Sequence, residues 1–167
     1  SMPLNSTSLT SPPAPVLMEH CCRQPWETYL EPLKMAPGVW YVSGNDWVAC
    51  YLIDTGDGLI LIDTAMHETA YLMIENIRKL GYELTDIKKI LLSHAHIDHI
   101  GGCRTMKELT GAKVYLGKRD LIFLHERKDL IMNEGGYTCG EFEPDELYDD
   151  DKPIVQGNVT IHTVSTP

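Results

Sequence analysis

The feature that most constrains this chain is a short segment that holds four potential metal ligands within six residues. The apolar run at residues 90–92 predicts a short buried strand before it, and a helical pattern follows the glycine pair after it. The segment therefore lies where a strand ends and a helix begins, which is where α/β folds usually place their chemistry. The four potential ligands are His94, His96, Asp98 and His99.

The spacing of these residues indicates how they could share metal ions. In an extended segment, residues two apart point to the same side, so His94 and His96 can reach one ion together. Asp98 and His99 lie where the chain must turn, and they can face a second position nearby. Imidazole nitrogen with carboxylate oxygen suits zinc, and also iron or manganese. A lone histidine at a strand end is usually only a hydrogen-bonded polar residue, but four such residues so close together favour a metal site.

Residues 94–99, HAHIDH, resemble the HxHxDH signature of the metallo-β-lactamase superfamily. Residues 51–64 resemble the first hairpin of that family, which ends in an aspartate that here is Asp63. Gly101-Gly102 follow the signature as they do in the family. The resemblance implies an α/β (α+β) fold, a βα/αβ sandwich of two similar halves, of which this chain covers roughly the first.

The resemblance extends over about residues 26–167. Among subgroups it is closest to the B3-type β-lactamases, including residues 80–82 before the motif strand and residues 110–112 after it. We therefore expect a flexible N-terminal tail at residues 1–25, followed by the N-terminal half of a metallo-β-lactamase-like domain at residues 26–167.

The resemblance also implies roles for individual residues. His94 and His96 would hold a first zinc ion, and Asp98 and His99 would belong to the site of a second. Asp98 would also act in catalysis by orienting the nucleophile, a metal-bound hydroxide that attacks a carbonyl carbon. Asp63 would support the ligands through hydrogen bonds from behind them. The residues that bind substrate are not identified by the resemblance.

Several activities of the superfamily fit this motif. The most specific assignment is a B3-like β-lactamase, and the alternative is a lactonase or a thioesterase similar to glyoxalase II. The substrate would accordingly be an ester, thioester, lactone or β-lactam. A sulfur dioxygenase branch keeps the motif but uses one iron. The diiron oxygen-reducing branch has glutamate where this chain has His96, and is disfavoured. A fragment that binds metal or a partner without turnover is the non-enzymatic alternative.

The chain stops at Pro167, before the third histidine, the bridging aspartate and the last histidine of the family would be reached. Three sources for these ligands stay open: a C-terminal half supplied as a separate chain, a second copy of this chain, or a longer protein of which this is a truncated or cleaved part.

Composition limits the partners and the compartment. The 167 residues are enough for one domain with a core, and no apolar run is long enough to span a membrane. The net charge of −10 makes nucleic acid an unfavourable partner, which also weakens a nuclease assignment. The five cysteines (Cys21, Cys22, Cys50, Cys103 and Cys139) fit no disulfide framework, so we expect reduced thiols in a cytoplasmic protein. Ser1 before Met2 resembles an expression remnant, which leaves open a secreted or periplasmic protein whose signal peptide was removed.

Periodicity and turn residues predict the elements that surround the motif. Residues 133–152 are rich in glycine and then in acidic residues, which predicts a solvated loop or, as the alternative, a flap over the site. The predicted strands are 39–42, 48–54, 58–63, 113–116 and a final hairpin of 154–155 with 159–164, and the predicted helices are 68–80, 102–110 and 118–132, after an irregular lead-in at 26–37.

Five other side chains could bear on the site. His67 and His125 are expected to be surface residues, with a pocket contact as the alternative for His67. Cys103 is expected to be a small buried helix residue, with a place in the site wall as the alternative. Trp47 either forms a wall of the substrate pocket or caps the edge of the core. His162 is expected to face outward from the last strand and not to be a ligand.

Overall fold

The structure is a computed structural model that describes residues 29–131 and 137–165. The predicted tail at residues 1–25, with Cys21 and Cys22, lies outside the described residues. In the described part of the chain, no helix combines the length and the hydropathy that crossing a membrane requires.

A mixed sheet of seven strands forms the centre of the fold, with its strands in chain order from one edge to the other. The first four strands pair antiparallel as a meander, and the last three are added in parallel. The strands are β1 (Leu33–Ala36), β2 (Val39–Tyr41), β3 (Tyr51–Asp54), β4 (Leu59–Ile62), β5 (Ile87–Leu91), β6 (Lys113–Leu116) and β7 (Glu146–Leu147).

Helices make the crossovers that parallel pairing requires. Helix α1 (Ala70–Lys79) connects β4 to β5, while α2 (Ile97–Ile100) and α3 (Cys103–Thr110) connect β5 to β6. A short helix α4 (Leu121–His125) follows β6. The predicted helices at 68–80 and 102–110 are confirmed, because both present apolar residues at helical spacing and end at a glycine.

The core has two parts because successive residues of a strand point to opposite faces of the sheet. Leu59 and Leu61 of β4 belong to the large cluster that α1 and α3 cover, whereas Ile60 between them belongs to a smaller cluster on the other face. That second face is partly covered by a hairpin of β8 (Ile154–Gln156) and β9 (Val159–Ile161).

The predicted elements at the edges of the sheet were partly wrong. The lead-in at residues 26–37 contains β1, whose four residues are all exposed and whose sequence carries no buried pattern. Prolines flank it at positions 32 and 37, which is typical of an edge strand. The predicted strand 48–54 is shorter, because pairing with β4 begins only at Tyr51.

Two further predictions after β6 need correction. The single helix predicted at 118–132 is broken into the 3-10 turn Lys118–Asp120, α4 and the 3-10 turn Lys128–Leu130. The acidic segment predicted as a solvated loop at 133–152 contains β7, which extends the sheet beside β6. Within that segment the Asp145 carboxylate accepts the Val114 N–H at 2.8 Å, so the acidic residues are partly tied to the fold.

Candidate metal centre

The candidate ligands lie on a short extended segment between β5 and α2. Ala95 and Ile97 are 2% and 3% exposed and anchor the segment in the core. The residues between and beside them, His94, His96 and Asp98, consequently turn away from the core and are all at least partly accessible. The alternation predicted from the spacing is therefore what the fold produces.

Three of the four predicted ligands form one compact group. One potential ligand atom from each of His94, His96 and Asp98 lies within 4.8 Å of the other two. The ring centroids of His94 and His96 are 5.1 Å apart, and those of His94 and His99 are 3.8 Å apart. His99 Nε2 lies 3.6 Å from Asp98 Oδ2. Asp98 therefore stands beside both histidine positions, and not beside His99 alone as the spacing indicated.

Asp63 organises this group from below. It directly follows β4, is 3% exposed and has a φ of 63°, in the left-handed region that few residues other than glycine adopt and in which aspartate is enriched. Its carboxylate accepts hydrogen bonds from the Ser93 N–H at 2.8 Å and the Ser93 hydroxyl at 2.7 Å. Asp63 Oδ2 also lies 2.8 Å from His99 Nδ1, which leaves His99 Nε2 as the ring nitrogen available to a metal.

The two closest histidines differ in proton affinity. Burial lowers the pKa of His94, and the neighbouring His99 and His96 rings lower it further against the pull of Asp63 and Asp98. Burial also acts to lower the pKa of His99, but the hydrogen bond and charge of Asp63, with the charge of Asp98, outweigh it and the pKa is raised. His94 is thus held in the neutral form that binds metals, while His99 holds its proton more tightly when no metal is bound.

The glycine pair after the motif is required by close packing. A Cβ atom at Gly102 would lie 2.5 Å from the Thr64 carbonyl oxygen, and one at Gly101 would lie 2.9 Å from the His67 nitrogen. This approach lets the Thr64 N–H and hydroxyl both donate to the His99 carbonyl oxygen, at 2.9 and 2.8 Å. The turn that carries Asp63 and the helix that carries His99 are locked together in this way.

The remaining side chains singled out in the sequence lie outside this group. His67, His125 and His162 are exposed, and His125 Nε2 pairs with Glu143 at 3.0 Å. Cys103 is fully buried, and burial raises the pKa of its thiol, as expected for a small core residue of α3 and not for a site wall. Trp47 packs edge to face on Tyr137 with ring centroids 6.1 Å apart.

Two contacts to residues 92–98, the candidate metal-binding segment, were not predicted. Asp120 Oδ1 accepts the Ala95 N–H at 3.3 Å, and the Tyr148 hydroxyl donates to the Leu92 carbonyl oxygen at 2.8 Å. Both side chains line a cleft of about 890 Å³ that also includes Ser93 and His94. No local pattern marks these residues, because each reaches the segment from a distant part of the chain. A smaller cavity of about 380 Å³ elsewhere is lined by none of the candidate ligands.

The donor set fits a transition metal such as zinc. Two imidazoles and a carboxylate converge, a third imidazole stands beside them, and a buried carboxylate fixes the ring of that third imidazole. The structure describes this convergence, whereas ligation by each residue stays a prediction.

Comparison with known proteins gives a family match over most of this region. Residues 46–164 match the profile of the metallo-β-lactamase superfamily. This span includes β3, β4, the turn at Asp63 and the whole motif.

Solved structures of metallo-β-lactamases are similar in fold. A subclass B3 metallo-β-lactamase of Bradyrhizobium japonicum superposes with a TM-score of 0.76 and 35% identity, over 86% of this chain and 55% of that one. A metallo-β-lactamase of Legionella gormanii superposes with a TM-score of 0.72 and 28% identity, over 82% and 53% of the two chains. The chain thus spans about half the length of these enzymes.

Curated relatives match over shorter stretches. An N-acyl homoserine lactonase of Bacillus thuringiensis is 32% identical over 33% of this chain and 31% of the lactonase. The uncharacterized protein YobT of Bacillus subtilis is 34% identical over 52% of this chain and 36% of its own length. The chain therefore spans about a third of the curated relatives that it matches.

Proposed function

This chain belongs to the metallo-β-lactamase superfamily, and on that premise we propose that it forms part of a metal-dependent hydrolase that acts on a carbonyl substrate. The observation that carries the proposal is the convergence of His94, His96 and Asp98 within 4.8 Å. A carboxylate and imidazoles that converge at the carboxyl end of a strand such as β5 form a donor set that binds divalent metals.

We propose that zinc ions occupy this centre, with His94 and His96 on one ion and Asp98 and His99 on a second. A bound zinc ion supplies an activated water near neutral pH and a Lewis acid for the substrate carbonyl. Asp98 would orient that water for attack by accepting a hydrogen bond from it. Asp63 holds the His99 ring through Nδ1, so that Nε2 faces the centre. Iron or manganese is the alternative that this donor set permits.

The substrate class that we propose first is a β-lactam, because the solved structures that resemble this chain include B3 metallo-β-lactamases. A lactone or thioester is the second candidate, and the similarity to an N-acyl homoserine lactonase favours a lactone. Because the chain spans about half of the solved structures, we propose that residues outside this chain complete the ligand set and the substrate pocket. They would come from a C-terminal half or from a second copy.

Native mass spectrometry after zinc loading tests the centre. We expect zinc adducts on the protein, together with any companion chain in the same spectrum. His96→Ala should lose bound zinc, while His162→Ala should not, because His162 is exposed and outside the group. Equal zinc content in His96→Ala and the unaltered protein would contradict the proposed centre.

A substrate panel tests the activity of the complete protein. Hydrolysis of a β-lactam, an acyl homoserine lactone and an acyl thioester should be measured side by side, with and without a chelator. We expect the chelator to abolish hydrolysis of whichever substrate is used. Turnover that persists after the metal is removed would contradict a metal-dependent hydrolase.

A further inference from the structure

The backbone of the metal-binding segment is held by side chains from three different elements. Asp63, after β4, accepts the Ser93 N–H at 2.8 Å. Tyr148, directly after β7, donates to the Leu92 carbonyl at 2.8 Å. Asp120, before α4, accepts the Ala95 N–H at 3.3 Å. The superfamily resemblance accounts for the first of these contacts and for neither of the other two.

Asp120 contacts the residue that lies between the two candidate ligands His94 and His96. Ala95 lies between His94 and His96 and is 2% exposed, so the Asp120 carboxylate provides its N–H with a partner that solvent does not. Because a buried N–H without an acceptor is unfavourable, we expect this peptide to rotate toward another acceptor when the Asp120 carboxylate is removed. Such a rotation would turn His94 and His96 away from their shared position.

The position of Asp120 is itself defined by the fold. Its N–H donates to the Gly117 carbonyl at 3.0 Å in the 3-10 turn after β6. A Cβ atom at Gly117 would lie 3.2 Å from Asp120 Oδ2, so the glycine leaves room for the carboxylate. β6 is paired with β5 through residues 113–115, so the turn that carries Asp120 is fixed relative to the strand that leads into the segment.

Tyr148 supports the same segment one step earlier. Its N–H donates to the Leu116 carbonyl at 3.1 Å, and its ring stacks on Tyr115 with centroids 6.2 Å apart. Both contacts place the hydroxyl toward the Leu92 carbonyl, where β5 has ended and the extended segment begins.

We propose that Asp120, assisted by Tyr148, is a positioning residue of the metal centre: it fixes the peptide between His94 and His96 so that both imidazoles face one ion. This inference rests on the proposed function, because it assigns Asp120 a part in holding the metal site. It gives Asp120 no contact with metal or substrate.

Metal affinity separates this role from a merely structural one. We expect Asp120→Ala to lower the affinity for Zn²⁺ and for Co²⁺ about 10–100-fold, the usual effect of losing a group that orients metal ligands. Asp120→Asn keeps an oxygen acceptor at the same place and should bind both ions within about threefold of the unaltered protein. Tyr148→Phe should lower the affinity less. Asp149→Ala is the matched control, because Asp149 lines the same cleft and its carboxylate accepts from Asp151 within its own loop.

Amide hydrogen exchange of the metal-free protein reads out the contact itself. The Ala95 amide proton should exchange at least tenfold faster in Asp120→Ala than in Asp120→Asn. The positioning role would be overturned if Asp120→Ala lowered the melting temperature but left the metal affinity unchanged. Equal losses of metal affinity in Asp120→Ala and Asp120→Asn would also overturn it. Failure of the unaltered protein to bind either ion would contradict the proposed function instead, and the exchange of Ala95 would then decide whether Asp120 holds the segment.

Discussion

One candidate ligand, His99, depends on a residue that the motif does not contain. His99 offers Nε2 to the centre because Asp63 occupies its Nδ1 side, and Asp63 can do so because it sits, almost fully buried, at a left-handed φ just past β4. The Ser93 N–H and hydroxyl share the same carboxylate. The motif therefore identifies the candidate ligands, and the turn at Asp63 orients one of them, His99.

Substituting Asp63→Asn tests this dependence through the proton affinity of His99. The charge and hydrogen bond of Asp63 raise the pKa of His99 against the effect of burial, so the variant should have a lower His99 pKa. A raised pKa in the folded state stabilises at low pH, and this stabilisation is lost as pH rises through that pKa. In metal-free protein we therefore expect Asp63→Asn to cost about 1–3 kcal/mol at pH 5.5 and less at pH 8.

Histidine NMR titration and denaturant unfolding at the two pH values measure this effect. The Ser93 bonds contribute at both pH values, so only the difference between the two losses belongs to His99. An equal loss at both pH values would mean that the Asp63–His99 contact does not stabilise the protonated ring.

At the scale of elements, helices can be predicted when their sequences contain start and stop signals, whereas the strands at the edges of the sheet could not be predicted from the sequence. α1 buries Ala70, Met73 and Ile77 on one side, and α3 ends at Gly111 in the left-handed conformation. Those signals are local. β7 has only two residues, both exposed, and is a strand because β6 lies beside it. A local pattern cannot contain that information.

Asp145 links three of these elements, and its substitution should have a pH-dependent cost. Its carboxylate accepts the Val114 N–H of β6 at 2.8 Å and pairs with Lys107 of α3 at 3.2 Å. Burial acts to raise the pKa of Asp145, but these partners outweigh it and the pKa is lowered. A lowered folded-state pKa stabilises above the unfolded value, and this is lost as pH falls through the folded one. We expect Asp145→Asn to cost about 1 kcal/mol at pH 7, a modest value because the side chain is 37% exposed.

Chemical denaturation between pH 7 and pH 3 checks this expectation. The difference between Asp145→Asn and the unaltered protein should shrink as the pH falls through the acidic range. Glu141→Gln is the control: Glu141 pairs with Lys128 at 2.8 Å, but both side chains are exposed, so stability should not change. A loss at Asp145 that is the same at both ends of the pH range would show that the carboxylate charge is not involved.

At the scale of the whole molecule, the β8–β9 hairpin joins the second face of the sheet through one polar side chain. Gln156 is buried, and its amide donates to the Thr55 hydroxyl and the Leu59 carbonyl, each at 3.3 Å. Its oxygen accepts from Lys89 at 2.9 Å. Around it, Ile154 packs with Ile60 and Leu91. A small apolar cluster, the Gln156 amide and a backbone hydrogen bond from the Asn158 N–H to the Thr55 carbonyl at 2.8 Å thus hold the hairpin in place.

Substituting Gln156→Ala should loosen the hairpin before the rest of the fold. Three hydrogen bonds are lost, although the Thr55 hydroxyl still accepts from the Asp57 N–H at 3.2 Å, so we expect a loss of about 1–3 kcal/mol. Val155→Ala is the neighbouring control, because Val155 is 59% exposed. Faster amide exchange confined to residues 154–161 in Gln156→Ala is the expected readout, and uniform loss across the sheet would contradict separate docking.

The fold class and the candidate ligands could be predicted because the residues that indicate them lie close together in the sequence. Four ligand-type residues after an apolar run, and the glycines behind them, are adjacent in the chain. Asp120 and Tyr148 could not be predicted, since their contacts with Ala95 and Leu92 exist only once β6 and β7 lie beside β5. The residues that position a site can be identified only from the tertiary structure, whereas candidate ligands can be recognised in the sequence from their side-chain chemistry.

The topology of the mixed sheet also predicts which contacts form first during folding. In β1–β4 every strand pairs with its neighbour along the chain, so these contacts close short loops, whereas β5 joins β4 only after the crossover through α1. Closing a longer loop costs more entropy, so we expect contacts between distant residues to form late in folding. We expect the candidate metal-binding segment to belong to the late part, since Asp63 and His99 are 36 residues apart. In stopped-flow experiments, zinc should therefore slow unfolding and leave the refolding rate nearly unchanged.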